Sequence, residues 1–435
     1  MGNTNLSLLK KSGVIEGFYG IPWSFKQRKS IIESLSFLGL GRYIYAPKDD
    51  PYHNKKWREL YPEKELEDLK SLAEISNEKD VDFVWAIHPG QNLIDFKDYD
   101  NEIEKLYKKY DQLHNIGVKS FALCMDDIDR DLAYEDRYDH LKLVKDIIKF
   151  ISNYENKRLL FVHPWYNGNW IDEKGQAYYD LFSDLANLDI MWTGYNVVVP
   201  LTNKSNDYFK SLTSKEPDIW FNWPVNDYRR NELYMEVFEY YDSTDINFNS
   251  IYLNPMNQAE LSKLSIYQVR DYLEDPKAYK SDKSFDKALE YLDKSVAKDL
   301  KVISDSFFGS DVYLRKDEKE FLAENEIKTA YEAKDYEKLS SLVKAKIEAL
   351  DNYFNNYSNE SLYEEVKPFF EGLHLVLKAI DALLSDDKDK AKEYFEKSKE
   401  CQVRILKEFN NDEIVYRQVS VSETLIKIYE DLLGK

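Results

Sequence analysis

Cysteine is almost absent from this chain. Cys124 and Cys401 are its two thiols in 435 residues, too few for a disulfide framework or a cysteine-based metal cluster. Long apolar runs are missing as well: no stretch approaches the ~18 residues that suggest a membrane span, and Met1–Ser12 lacks the apolar centre of a secretory signal. Nor is there a basic excess. Against 60 Lys and Arg stand 80 Asp and Glu, a formal net charge of −20. Nucleic acid and membrane are therefore not expected as partners, because binding a polyanion requires a basic footprint. Long anionic polysaccharides are disfavoured on the same ground. The six histidines form no HExxH-like arrangement, and no glycine-rich phosphate loop or nucleophile elbow is present, so neither a metal nor a cofactor is expected. These absences describe a cytoplasmic protein without a signal peptide; a secreted mature form or a trimmed chain would look the same.

What is abundant is aromatic. The 34 Tyr, 22 Phe and 8 Trp supply a large core and suit a carbohydrate site, where rings stack on sugar faces. From residue 13 onward, short apolar runs alternate with amphipathic segments. The runs are Gly13–Glu16, Arg42–Ala46, Val81–Ile87, Ser120–Met125, Leu159–Val162, Asp189–Trp192, Asp218–Phe221 and Ser250–Leu253. Their spacing of roughly 30 to 40 residues suits one βα unit each. Between them, Glu63–Lys79 and Tyr138–Ile151 carry leucine and isoleucine at helical spacing. Eight such units predict an α/β fold, a (β/α)8 TIM barrel over residues 12–280, with a doubly wound open sheet as the competing architecture. Residues 1–11 read as a leader, either disordered or added to the natural chain. After Asp275-Pro276 the strand-like runs stop, and residues 281–435 predict an all-α helical bundle, with Phe285–Phe308, Glu318–Lys334, Tyr336–Tyr357, Ser361–Ser385 and Lys388–Phe409 as its clearer helices.

The run Phe121-Ala122-Leu123-Cys124-Met125 passes directly into Asp126-Asp127. Neighbouring strand residues point to opposite faces, so two adjacent carboxylates share one site only where the chain leaves strand geometry. The carboxyl end of a buried parallel strand is such a place, and it is where α/β folds keep their chemistry. The pair is a candidate for general-acid work plus charge stabilisation; a solvated turn or helix N-terminus accounts for two Asp equally well. Other strand ends are also polar or aromatic: Gly17-Phe18-Tyr19, Pro47-Lys48-Asp49-Asp50, His88-Pro89, His163-Pro164-Trp165-Tyr166-Asn167, Thr193-Gly194-Tyr195, Asn222 to Asp227, and Asn254-Pro255. Amide, hydroxyl, Lys and Asp groups converging with rings describe a site for a neutral polyhydroxylated ligand.

Several of these stretches resemble glycoside hydrolase family 84, the β-N-acetylglucosaminidase family that includes O-GlcNAcase. They are Glu16-Gly17-Phe18-Tyr19-Gly20-Ile21-Pro22-Trp23 and the run from Tyr43 through Pro47-Lys48-Asp49-Asp50-Pro51-Tyr52-His53. Asp126-Asp127-Ile128, Met191-Trp192-Thr193-Gly194, Asn222-Trp223-Pro224-Val225-Asn226-Asp227-Tyr228 and Asn254-Pro255-Met256 follow in order. The resemblance covers roughly residues 12 to 275.

That resemblance implies a retaining exo-β-N-acetylglucosaminidase in which the substrate's own 2-acetamido group is the nucleophile, an exception to the two-carboxylate scheme. Asp126 would orient and polarise the acetamido group as an oxazoline forms, and Asp127 would act as general acid, then base. Gly17, Lys48, Asp227 and Asn254 would bind sugar hydroxyls, while Tyr166, Thr193, Trp220 and Asn222 would surround the acetamide or reducing side. The implied substrate is a GlcNAc-terminated glycan or glycoprotein, with O-GlcNAc on glycopeptides or proteins and short glycans among the candidates. In some relatives the helical region shapes the groove beyond the cleaved bond, and in others it supports a homodimer. Plainer roles compete: Trp220 as core, Asn222 and Asn254 as turn caps, Lys48 as a partner of Asp49 or Asp50. The competing function is a non-catalytic, lectin-like GlcNAc-binding barrel with a protein-interaction helical domain. His163 matches no role.

Overall fold

A computed structural model describes residues 5–241, 246–310, 325–407 and 413–434. Eight strands, β1 (Gly13–Glu16), β2 (Arg42–Tyr45), β3 (Asp82–Ile87), β4 (Ser120–Cys124), β5 (Leu159–Val162), β6 (Leu188–Trp192), β7 (Asp218–Phe221) and β8 (Ser250–Leu253), pair in sequence order into a closed parallel barrel. β8 returns to β1 through the register Gly13↔Tyr252 and Val14↔Leu253. The TIM barrel is therefore present, and the open sheet is not.

Strand alternation sorts the side chains between the barrel interior and the helical layer. Ile15, Ile44, Val84, Ala86, Ala122, Cys124, Leu160, Val162, Met191, Trp220 and Tyr252 form one buried cluster inside the barrel. Their neighbours of opposite parity, including Tyr43, Phe83, Trp85, Phe121, Phe161, Trp192 and Phe221, are also buried, as strands covered by helices require. Small residues on β3 and β4 leave room inside, while aromatic ones face the helical layer. The helix Phe25–Leu38 shows how sharply the surrounding helices are delimited. Ser24 and Gln27 form a reciprocal capping box, and Gly39 closes the helix in the left-handed region at φ 76°.

The chain start departs from expectation. Leu6–Lys11 is a helix that buries Leu8 and Leu9, and the Leu9 carbonyl accepts from Gly41 N–H at 3.1 Å. Residues 6–11 of that expected leader are held by two leucines whose apolar surface needs cover.

Two compact units emerge. The first comprises residues 1–223, 240–255 and 270–279; the second takes 224–239, 256–269 and 280–435. Two stretches that flank β8 in sequence thus group with the helical unit although they lie within the 12–280 span. The second unit is mainly helical, built around Glu360–Leu384, whose buried face includes Leu362, Val366, Phe369, Phe370, Leu373 and Leu377. It also differs from an all-α bundle. The predicted helix Phe285–Phe308 is two, Ser281–Asp293 and Ala297–Ser304, because the Asp293 carboxylate accepts from Ser295 and Ser358 and stops the first. Lys388–Ser398 ends early, and a hairpin follows, β9 (Gln402–Leu406) antiparallel to β10 (Ile414–Gln418). Of the expected Glu318–Lys334 helix, Asn325–Glu332 is helical and the part before residue 325 lies outside the described residues. Among the described residues no helix is long and apolar enough to cross a membrane.

Candidate active site

The interior columns of the barrel continue, at the same parity, into polar residues. On β2 the column runs Ile44, Ala46, Lys48; on β3, Val84, Ala86, His88; on β4, Ala122, Cys124, Asp126. Ile15 leads to Gly17, Met191 to Thr193, Trp220 to Asn222 and Tyr252 to Asn254. The period-two alternation that fills the barrel with apolar side chains therefore delivers a polar layer at its carboxyl-terminal mouth.

At the centre of that layer is an ion pair out of water. Lys48 Nζ donates to Asp126 Oδ2 at 2.5 Å, with the lysine 2% and the aspartate 5% exposed. Lys48 does not pair with Asp49 or Asp50: Asp49 accepts from Gly20 N–H at 2.7 Å, and Asp50 from the Tyr45 and Tyr61 hydroxyls at 2.8 and 2.7 Å. Burial alone would push the Asp126 carboxyl up, but the His88 ring and the Lys48 ammonium outweigh it and hold it at about 2. Asp126 is a carboxylate at neutral pH. Its other oxygen, Oδ1, is buried without a hydrogen-bond partner, 3.3 Å from His88 Nε2.

Asp127 reaches the same mouth by different means. By parity it would face outward; instead its backbone turns into the left-handed region at φ 56°, a conformation Asp tolerates better than most residues. Its two carboxylate oxygens accept from Tyr19 OH at 2.6 Å and Tyr166 OH at 3.0 Å. Burial, then the Asp127 charge, push the Tyr166 phenol far up, so it stays a donor. The turn depends on Gly90, where a Cβ would come within 2.4 Å of Met125 Cα. Nothing larger than glycine lets the loop after β3 cross the backbone that carries the two aspartates.

The other predicted residues form an arc. Gly17 N–H donates to Asn254 Oδ1 at 3.3 Å, Asn254 Nδ2 to Asn222 Oδ1 at 3.0 Å, and Trp220 Nε1 to the same Asn222 oxygen at 2.8 Å. The Trp220 ring lies so close to Gly17 that a Cβ there would meet it at 2.3 Å, and Lys48 Nζ sits 5.7 Å above that ring. Thr193 is buried and its hydroxyl donates to the Tyr166 and Asn196 carbonyls. Asp227 belongs to the second unit, where it lines a cleft of about 280 Å³ with Tyr228, Arg230 and hairpin residues. His163 is core: its Nδ1 accepts from Trp165 N–H at 3.1 Å and its ring packs edge-on against Tyr179. Burial lowers it to about 3.

Comparison with known proteins bears on this constellation directly. A protein-family model described as beta-N-acetylglucosaminidase matches residues 12–305, well over half of the chain. The chain belongs to this β-N-acetylglucosaminidase family, glycoside hydrolase family 84. Among curated proteins it is similar to the protein O-GlcNAcases of Mus musculus and Rattus norvegicus, each 30% identical over 273 residues. That alignment covers 59% of this chain but 29% of those relatives, so the chain spans under a third of their length. Solved structures of CpGH84D and CpGH84B superpose with TM-scores of 0.80 at 24% and 25% identity, covering 98% of this chain and 75% and 77% of theirs. A mutant of the Thermobaculum terrenum O-GlcNAc hydrolase superposes at 0.77 with 21% identity, covering 98% and 95%. At such identities the likeness to CpGH84D and to the Thermobaculum protein speaks to the fold.

Two residues that meet the aspartates at this mouth received no role from the sequence. Tyr19 stood inside a quoted motif without a role, and His88 closed a strand without one. Column parity would have found His88, since it occupies on β3 the place that Lys48 occupies on β2.

Proposed function

We propose that this protein is a retaining exo-β-N-acetylglucosaminidase that works by participation of the substrate's 2-acetamido group. The observation that carries the reading is the Asp126 carboxylate. One oxygen is committed to Lys48, and the other is buried, unpartnered and acceptor-only. An acetamido N–H donated to that oxygen would turn the acetamide carbonyl toward the anomeric carbon. Attack then gives the oxazoline in its protonated form, the N–H still held by the Asp126 carboxylate, while Asp127 protonates the departing oxygen; Asp127 afterwards takes a proton from the water that opens the ring. Two carboxylates on adjacent residues leave no space for a sugar carbon between them, which favours this division of labour over an enzyme nucleophile.

In this reading Lys48, Asn254 and the Gly17 backbone bind hydroxyls, while Tyr166, Thr193, Trp220 and Asn222 enclose the acetamide or reducing side. The substrate is a GlcNAc-terminated glycopeptide, glycoprotein or short glycan. A charge of −20 argues against long anionic chains such as hyaluronan. Both cysteines are free thiols, in keeping with a reducing compartment.

The test compares wild type, Asp127→Asn and Asp126→Asn on a fluorogenic aryl β-N-acetylglucosaminide and on a natural glycoside. A good leaving group needs little protonation, so Asp127→Asn should slow the aryl substrate much less than the natural one, where general acid catalysis contributes roughly 10²- to 10⁴-fold. Asp126→Asn should slow both. Equal rates on N-acetyl and N-trifluoroacetyl substrates would sink the participation mechanism. Tight β-GlcNAc binding without wild-type turnover would make the barrel a lectin.

A further inference from the structure

Between Lys48 and Asp126 lies a third buried group that the mechanism above leaves idle. His88 is fully buried. Its Nδ1 is 3.2 Å from Lys48 Nζ, and its Nε2 is 2.9 Å from the Asp126 carbonyl and 3.3 Å from the Asp126 carboxylate. Those neighbours determine its tautomer. An ammonium has no lone pair to offer, so Nδ1 must be the acceptor, and Nε2 then carries the proton and points it at Asp126. A protonated ring would lose the Lys48 contact and set two cations against each other. Burial and the Lys48 charge both lower His88, against Asp126 and Asp127. The ring behind it, His53, lies at 5.8 Å, edge-on. His53 is itself held neutral, chiefly by burial, and engaged with the Ala86 carbonyl.

We propose that neutral His88 is a positioning residue for the acetamide step, holding the Asp126 carboxylate and the Lys48 ammonium in fixed mutual orientation. This rests on the glycosidase reading above. Of the three Lys48 protons, one goes to Asp126 and one to His88, which aims the third toward the ligand. On Asp126, Lys48 fixes Oδ2 and His88 fixes the backbone carbonyl, so Oδ1 is left to receive the acetamido N–H. His88 touches no substrate in this arrangement; it acts through its two neighbours, as outer partners of catalytic groups do.

Two substitutions separate this role from packing. His88→Gln keeps one acceptor and one donor on a side chain of similar reach, whereas His88→Leu fills comparable volume with neither. On the aryl β-N-acetylglucosaminide, His88→Leu should lower kcat about 10- to 100-fold with KM changed far less, and His88→Gln should recover most of the loss. The decisive readout is affinity for a thiazoline analogue of the oxazoline relative to free GlcNAc: His88→Leu should lose that preference and His88→Gln retain it. Should His88→Leu not fold, His88→Asn, too short to reach both partners, takes its place in the comparison. Wild-type preference in the leucine variant, or equal damage from leucine and glutamine, would overturn the role and reduce His88 to filler. A wild type that hydrolyses nothing would instead overturn the glycosidase reading on which the role stands.

Discussion

Replacing Lys48 by methionine would leave the Asp126 carboxylate buried with no cation beside it, and the consequences follow from electrostatics alone. In the intact protein Asp126 is held at about 2, below the ordinary ~3.9 of an unfolded chain. Its contribution to stability is therefore full above that ordinary value and is lost as pH falls through the lower one. In Lys48→Met one of the two groups that oppose burial is gone, and the carboxyl moves upward. Breaking a buried pair in this way costs on the order of 3 kcal/mol at pH 7, and the deficit relative to wild type should shrink as pH falls and the carboxyl takes a proton. Urea unfolding of both proteins at pH 7 and pH 5 measures this directly. A deficit that stays constant between the two would show that lost packing, and not the uncompensated charge, is responsible.

At the level of elements, the strands were readable because each is a short apolar run ended by a polar group, glycine or proline, and because eight of them recur at βα spacing. The site was readable for the same reason: Asp126, Lys48, Asn222 and Asn254 are the polar residues that follow the apolar interior members of their columns at the carboxyl ends of the strands. His88 holds the same place on its own column and stood among the polar strand ends, but its role was not readable, since that depends on its neighbours on β2 and β4. The hairpin of β9 and β10 was hidden differently. Val403 and Ile405 alternate with Gln402 and Arg404, but the alternation begins three residues after a helix ends and was absorbed into it. Least readable was Gly90, whose demand is tertiary. Its Cβ position is occupied by the Met125 backbone, which cannot give way as a side chain can. Gly90→Ala should cost on the order of 3 kcal/mol and, by moving Asp126 about an ångström, lower kcat roughly 100-fold. A thermal melt together with kinetics on the aryl substrate would check both; an alanine variant with normal turnover would mean that the β3 loop moves aside freely.

Over the whole molecule, the histidines set the response to acid. His163 is lowered by burial to about 3 and His140 to about 4, and His53, His88 and His374 are lowered too. The unfolded chain takes up these protons near pH 6.5, whereas the folded one refuses them until much lower. Stability is thus complete above pH ~6.5 and declines as pH falls toward the folded values, by about 1.4 kcal/mol per pH unit for each histidine that stays neutral. Denaturant midpoints at pH 7, 6 and 5 should drop progressively, and a variant lacking His163 should lose one proton's worth of that slope. A flat profile from pH 7 to 5 would mean that these rings are charged in the folded protein.

The left-handed turn at Asp127 has a consequence for descent. That backbone position accepts glycine, asparagine and aspartate readily and most other residues poorly, so glutamate is no ready substitute acid despite its equivalent chemistry. Asparagine and glycine are each one base from aspartate in the genetic code, and asparagine alone keeps its shape, with no acidic proton to give. With Asp127 as the acid proposed above, a lineage carrying this fold stands a single mutation from losing general acid catalysis while keeping its pocket, and the route back is equally short.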